Sequence, residues 1–158
     1  MTLQIRRVVT GHDASGRAVV QIDEVPKNLA LSRPGATACV VWTTEGFPVD
    51  NTAEEDAGLR KTGTTLDNGT VFRILELAPG VSPRNHRTDS IDYAVVMSGE
   101  VDMELDDATV HLKAGDVLVQ RGTIHNWVNR GTEVCVIAFV LIAAKPVTVG
   151  DKVLQAQG

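Results

Sequence analysis

The stretch "NHRTDSIDYAVVMSG", residues 85–99, decides the fold. Its even-numbered positions begin with His86, Thr88, Ser90 and Asp92. In an extended strand, side chains two positions apart share one face, so this stretch predicts a β-strand with a row of polar groups on one side. The row combines an imidazole with a carboxylate, and both groups bind metal ions or transfer protons.

A second stretch, "AGDVLVQRGTIHNWVNRG" at residues 114–131, has a similar design. Gly115 and Gly122 mark two turns, each followed by a short β-rich run. His125 and Trp127 then alternate on one face of the next strand. The remaining histidines, His12 and His111, lie among turn or charged residues and are interpreted as surface groups.

These two stretches resemble the motifs of the cupin superfamily. The positions of the first cupin motif are held here by Gly80, His86, Thr88, Asp92 and Gly99. Those of the second motif are held by Gly115, Gln120, Gly122, His125 and Asn129. The resemblance extends from Gly69 to Ala143 and implies a small single-domain cupin, an all-β double-stranded β-helix (jelly-roll) barrel.

The rest of the chain fits this all-β expectation. Short β-rich runs with frequent turn residues are typical of a sandwich or barrel. We predict one structural domain with a barrel core at residues 69–145 and a polar C-terminal tail at 146–158. Residues 1–68 are expected to add N-terminal strands and a long polar loop, with one helical turn near "AEEDAGL", that pack on the barrel or on a partner subunit.

Three positions depart from the cupin pattern: Thr88 replaces the second histidine, Asp92 replaces glutamate, and Gln120 replaces proline. Cupins commonly use three histidines and a glutamate to bind iron, manganese, nickel, zinc or copper. The resemblance therefore implies one divalent ion (Fe, Mn, Ni or Zn) held by His86, Asp92 and His125. Such a two-histidine, one-carboxylate set is used by non-haem Fe(II) oxygenases.

Two other interpretations of the polar row remain open. Without metal, a buried histidine and carboxylate form a general acid–base pair, suited to epimerisation, isomerisation, dehydration or decarboxylation. Alternatively, the polar groups only satisfy one another inside a non-catalytic ligand-binding or sensing barrel. The catalytic residues would be His86, Asp92 and His125 in either enzyme.

The strand phase also predicts the lining of the pocket. Thr88 and Ser90 share the face of His86, and Trp127 shares that of His125. The neighbouring runs "VFRILEL" and "CVIAFVLI" are mostly apolar. We therefore expect a pocket with few charges, suited to a small organic ligand such as an aromatic compound.

Composition limits the partners. The chain has 158 residues and a formal net charge of −5, which argues against a nucleic-acid partner. No apolar run is long enough to span a bilayer, and the N-terminal residues do not resemble a signal peptide. Cys39 and Cys135 lie in apolar runs and are interpreted as buried thiols of a cytoplasmic protein. We also expect a homodimer in which the N-terminal strands, which have no obvious partner of their own, contact the other subunit.

Overall fold

The computed structural model describes residues 3–158 and is built almost entirely of β-strands. The strands are β1 (Arg7–His12), β2 (Ala18–Glu24), β3 (Leu29–Arg33), β4 (Ala36–Glu45), β5 (Gly69–Leu77), β6 (Ser90–Ser98), β7 (Glu100–Glu104), β8 (Thr109–Lys113), β9 (Val117–Arg121), β10 (Asn126–Val128), β11 (Cys135–Ala143), β12 (Val147–Val149) and β13 (Lys152–Leu154). A 3-10 turn at Ala57–Leu59 falls within the segment expected to hold a helical turn. The predicted all-β class is confirmed.

Two antiparallel sheets form the barrel. The larger one has six strands in the order β3-β4-β5-β11-β6-β9, and the smaller one has three in the order β10-β7-β8. Side chains of both sheets belong to one hydrophobic core. Because antiparallel strands alternate their side chains between two faces, each sheet can bury one face and leave the other outside.

Strand β11 shows this alternation clearly. Cys135, Ile137, Phe139 and Leu141 are buried, whereas the residues between them are half-buried. The mostly apolar run that contains them pairs with β5 on one side and β6 on the other. Strand β11 is therefore a central strand, and its inward-facing side chains belong to the hydrophobic core of the barrel.

The glycines of both motifs end strands in the left-handed region of backbone conformation. Gly80, Gly99, Gly115 and Gly122 have φ values of 70°, 73°, 93° and 65°. At Gly99 a side chain is also excluded by space, because an added Cβ would lie 2.3 Å from the carbonyl oxygen of Val134. The glycine between β6 and β7 is thus required both by its φ and by the close approach of the backbone.

The N-terminal strands differ from the expectation that they lack a partner of their own, because β1 and β2 pair with each other as an antiparallel hairpin. The hairpin is tied to the barrel by Arg7, whose buried guanidinium forms ion pairs with Glu24 and Asp56. Leu3, just before β1, packs in a small cluster with Cys39 and Ile74. Residues 3–7 therefore cover part of the outer surface of the six-stranded sheet.

Cys39 and Cys135 are both free and buried, as their apolar surroundings predicted. Burial raises the pKa of the Cys135 thiol to about 11.

No helix within residues 3–158 combines the length and the apolar character that a membrane crossing requires.

Candidate functional site

The two sequence motifs meet at a pair of histidines. The backbone N–H of His86 donates to the carbonyl of His125 at 2.9 Å, and the N–H of His125 donates to the carbonyl of His86 at 2.9 Å. The ring centroids lie 4.3 Å apart. This reciprocal pairing brings together residues that are distant along the chain, and it places both imidazoles side by side in the barrel.

Backbone carbonyls fix the orientation of both rings. Nδ1 of His86 lies 2.9 Å from the carbonyl oxygen of Arg84, and Nδ1 of His125 lies 2.9 Å from that of Thr123. A carbonyl only accepts, so Nδ1 carries the proton and donates in each ring, and Nε2 keeps its lone pair. Both imidazoles are buried, which lowers the pKa of His125 and lowers that of His86 to about 4. They are therefore neutral at physiological pH.

The polar row of the first motif forms a chain of hydrogen bonds. The hydroxyls of Thr88 and Ser90 are 2.8 Å apart, and the Ser90 hydroxyl donates to Oδ1 of Asp92 at 2.6 Å. Asp92 is only 4% exposed. Its burial raises the pKa of the carboxyl, an effect opposed by the Ser90 bond and by the nearby positive charge of Arg73. Asp92 is thus a carboxyl group that holds a proton more readily than an exposed one.

Two aromatic side chains pack next to the histidines. Trp127 makes an edge contact with His125 at a centroid distance of 5.7 Å and a second with Phe139 at 5.8 Å. Trp127 is 3% exposed and belongs to the hydrophobic core. It therefore fills the core and also lines the site, where its strand phase placed it.

These groups line a single cavity inside the barrel. The cavity has a volume of about 20 Å³, which is room for roughly one water molecule. Its wall contains the following residues: Arg33, Thr64, Arg73, Leu75, Arg84, His86, Thr88, Asp92, His125, Trp127, Phe139 and Leu141. Ser90 does not reach the wall and contacts the site through its hydrogen bonds to Thr88 and Asp92.

The expectation of a pocket with few charges is wrong, since three arginines contribute to this wall. Arg84 uses Nε and Nη2 to donate to a main-chain oxygen of Gly158 at 3.1 and 2.9 Å. Nε of Arg33 donates to the carbonyl of Ser82 at 2.8 Å. Arg73 projects from β5 among apolar residues, and burial lowers the pKa of its guanidinium to about 10. The apolar run "VFRILEL" therefore carries one charged side chain inward.

The donors present fit only part of the predicted metal site. The Nε2 atoms of His86 and His125 have the orientation of metal ligands, because ligating histidines usually donate their other ring N–H to a carbonyl or carboxylate. The carboxylate does not join them: residues 3–158 contain no group of three or more His, Cys, Asp or Glu side chains that could hold a metal ion. Asp92 accepts a hydrogen bond from Ser90 instead. Aspartate is one methylene shorter than the glutamate of the family pattern, which accounts for the shortfall.

Sequence reasoning missed several residues that line the cavity, among them Arg84 and Arg33. Arg84 lies two residues before His86, so the same alternation that grouped His86 with Thr88 pointed to it. Arg33 comes from β3, which precedes both motifs and gave no local indication. Gln120, which replaces the proline of the family pattern, is buried on β9 directly opposite Asp92.

A larger cavity of about 380 Å³ lies outside the barrel, between the β1–β2 hairpin, β4 and the loop at 49–60. Trp42, Glu45 and Arg60 are among its lining residues. None of the motif residues reaches it. The barrel interior, where both motifs converge, is therefore the better site for chemistry.

Comparison with known proteins gives consistent matches. A family model described as "Cupin domain" matches residues 73–142. "Phomopsin biosynthesis cluster protein C'" of Diaporthe leptostromiformis is 39% identical over 159 residues, covering 94% of this chain and 83% of that protein. "Cupin-domain-containing oxidoreductase fogC" of Aspergillus ruber is 32% identical, covering 96% of this chain and 79% of the relative.

Solved structures share the architecture. A Cupin 2 conserved barrel domain protein from Salinispora arenicola superposes with a TM-score of 0.50 over 74% of this chain and 82% of that one. The two sequences are 20% identical, so this likeness concerns the fold alone. It identifies the two packed sheets as a jelly-roll barrel.

Proposed function

The chain belongs to the cupin family, as its two motifs predicted, and on that premise we propose that it is an enzyme that moves protons on a small organic molecule inside the barrel. One observation carries the proposal: a buried carboxyl and two neutral imidazoles line the same cavity. General acid–base catalysis needs groups whose pKa values are shifted by their surroundings and which reach a common point.

The roles of the groups follow from their protonation. Burial raises the pKa of the Asp92 carboxyl, so this group is suited to give a proton to the substrate. The two imidazoles keep an unprotonated Nε2, so His86 or His125 is suited to accept one. Reactions of this type include isomerisation, dehydration and decarboxylation. Thr88 and Trp127 would contact the substrate from the wall of the cavity.

Metal-assisted oxidation is the second candidate function. It is favoured by the backbone bonds that leave both Nε2 atoms available, and by the word oxidoreductase in the names of several relatives. His86 and His125 would be the protein donors to an Fe, Mn, Ni or Zn ion. Such an ion would supply Lewis acidity or redox chemistry. Asp92 does not complete the ligand group within residues 3–158.

Isotope labelling separates these functions. The protein is incubated with a library of small hydroxy acids, keto acids, enones and phenols, once in D₂O and once under ¹⁸O₂, and the products are analysed by mass spectrometry. Proton transfer to carbon places deuterium in the product, whereas an oxygenase places ¹⁸O there. The test variant is Asp92→Asn, which keeps the shape of the side chain, and the matched control is Asp106→Asn at an exposed position.

We expect deuterium-labelled product from the wild type and from Asp106→Asn, and a loss of about 100-fold or more in Asp92→Asn, the lower range for a general acid. Full activity of Asp92→Asn would refute the acid–base assignment. Product labelled with ¹⁸O but not with deuterium would establish the second candidate. Compounds that raise the melting temperature without being converted would indicate a ligand-binding barrel.

We also propose that the protein works in the cytoplasm. The support is the state of its cysteines, since both are buried free thiols. Disulfides are rare in reducing compartments, and buried thiols persist there as small apolar side chains.

A further inference from the structure

We propose that the barrel interior binds a carboxylate group of an anionic substrate, with Arg73 as its main contact and Arg33 and Arg84 beside it. This inference rests on the proposed function, because it names the chemical class of the molecule that reaches His86, His125 and Asp92. It follows from the charges of the cavity wall and from donors that lack a partner.

The cavity wall has an excess of positive charge. Arg33, Arg73 and Arg84 contribute three guanidinium groups, whereas Asp92 is the one carboxylate among the lining residues. The ion pairs found within residues 3–158 involve none of these three arginines. A guanidinium in a barrel interior is costly unless an anion compensates it. The excess therefore favours a ligand that brings negative charge.

Specific donor atoms are also unsatisfied. Nε of Arg73 and Nη2 of Arg33 are buried, and neither has a hydrogen-bond acceptor within residues 3–158. Buried polar groups in proteins are nearly always paired, so each exception calls for a missing partner. Arg73 belongs to the strand beside β11, and its neighbours on the inner face of β5 are the apolar residues Val71 and Leu75. Asp92 is close enough to interact electrostatically with Arg73, but among residues 3–158 its recorded side-chain hydrogen bond is with Ser90 rather than with Arg73.

A carboxylate fits this arrangement better than other anions. Guanidinium and carboxylate are both planar, and their two parallel N–H···O bonds make a directional contact. The small volume of the cavity, about 20 Å³, leaves no room for a tetrahedral phosphate. Arg33 and Arg84 already use part of their donors on main-chain oxygens of Ser82 and Gly158, which holds them in place. Nε of Arg73 has no acceptor within residues 3–158 and is free for the ligand.

The placement has a consequence for chemistry. Arg73, Asp92 and His125 line the same cavity, so a molecule anchored by its carboxylate presents its neighbouring carbon atoms to the carboxyl and imidazoles. Positive charge fixed near those atoms stabilises negative charge that develops when a proton leaves carbon. Substrates of the class are thus small carboxylic acids with a proton or leaving group close to the carboxylate.

The test uses the smallest carboxylate as a probe. Thermal unfolding of the whole protein is followed while sodium formate, formamide, sodium phosphate or sodium chloride is added at constant ionic strength. A ligand that binds only the folded state raises the melting temperature in a concentration-dependent way, from which Kd is obtained. We expect formate to raise it with saturation, and formamide, which has the same shape but no charge, to leave it unchanged.

Variants assign the effect to Arg73. Arg73→Met removes the charge and keeps most of the volume, and it should weaken formate binding by about tenfold or more, as expected for lost hydrogen bonds to a charged group. Arg73→Lys keeps the charge without the planar fork and should bind formate with intermediate affinity. Arg17→Met, on an exposed turn, is the matched control and should behave like the wild type.

Three results would overturn the proposal. Chloride or phosphate could give the same shift as formate, formamide could bind as well as formate, or Arg73→Met and Arg73→Lys could both retain wild-type affinity for formate. The assay is independent of turnover. Asp92→Asn should lose proton transfer, but because it removes a negative charge near Arg73 it should bind formate at least as tightly as the wild type. Failure of the acid–base assignment and failure of the carboxylate site therefore give different results.

Discussion

The buried imidazole of His86 makes a quantitative prediction about stability and pH. Its pKa is lowered from 6.5 to about 4, chiefly by burial, and further by the charges of His125, Arg84 and Arg33. The unfolded chain takes up a proton at this residue near its ordinary pKa, while the folded protein resists it. The stability that the neutral ring contributes is fully present above pH 6.5 and is lost as the pH falls toward 4.

The size of the loss follows from the two pKa values. The interval from 6.5 to about 4, at about 1.4 kcal/mol for each pKa unit, gives about 3 kcal/mol when the residue is fully protonated in both states. At about pH 5, where the unfolded chain is mostly protonated and the folded protein is not, about 2 kcal/mol of this is already lost. Asp92 works in the opposite direction, because a raised carboxyl pKa favours the folded state as the pH falls.

A variant isolates the contribution of His86 from that of Asp92. The free energy of unfolding is measured by urea titration at about pH 7.5 and about pH 5 for the wild type and His86→Gln, in the presence of a chelator so that protons do not compete with metal. The wild type should lose about 2 kcal/mol more than the variant between these pH values. His12→Gln, at an exposed position, should follow the wild type.

Equal losses in the wild type and His86→Gln would refute the reasoning. They would mean that His86 is as accessible to protons in the folded protein as in the unfolded chain. The ring would then not be held neutral between Arg84 and His125, and its proposed role as a proton acceptor would lose its physical basis.

Three further predictions concern the motifs and the assembly. Gly99→Ala should lower the free energy of unfolding in urea by about 3 kcal/mol, because the strain of a left-handed φ is added to a clash with the backbone. Gly115→Ala, with nothing within 4 Å of its added Cβ, should lower it by about 1 kcal/mol. Similar losses in the two variants would show that space at Gly99 is not limiting. Thr88→His should add a third imidazole to the cavity wall, and zinc titration of the apoprotein should show an affinity about tenfold or more above that of the wild type. An unchanged affinity would show that residue 88 does not reach the metal. We propose a homodimer, and the support is an exposed apolar surface on the paired strands β6 and β9, formed by Tyr93, Val95, Val117 and Val119. Light scattering at tens of micromolar should therefore give twice the chain mass of 16.9 kDa. A mass equal to that of one chain would count against the proposal.

Much of the barrel could be predicted because its signals are local. The alternation of His86, Thr88, Ser90 and Asp92 reflects the two-residue period of a strand, and the structure places Ser90 in hydrogen-bond contact with Thr88 and Asp92. The glycines that end the strands are recognisable because only glycine readily adopts their φ values. The metal set could not be derived in this way, since the reach of Asp92 depends on distances in space rather than on position along a strand.

The charge of the cavity depends on sheet order, which a sequence pattern does not reveal. Arg33 lies on β3, which is an edge strand of the six-stranded sheet. It reaches the interior because β3 pairs with β4, and β4 pairs with β5. Strand phase says that Arg73 and Glu76 face opposite ways, but not which of them faces inward. The structure puts Arg73 in the cavity wall and Glu76 on the outer face, beside Leu3 and Val136. The motifs therefore supply the groups that would carry out the chemistry. The arginines that would choose an anionic substrate come from positions that the motifs do not specify, so cupins with the same histidines can differ in the charge of the molecule they accept.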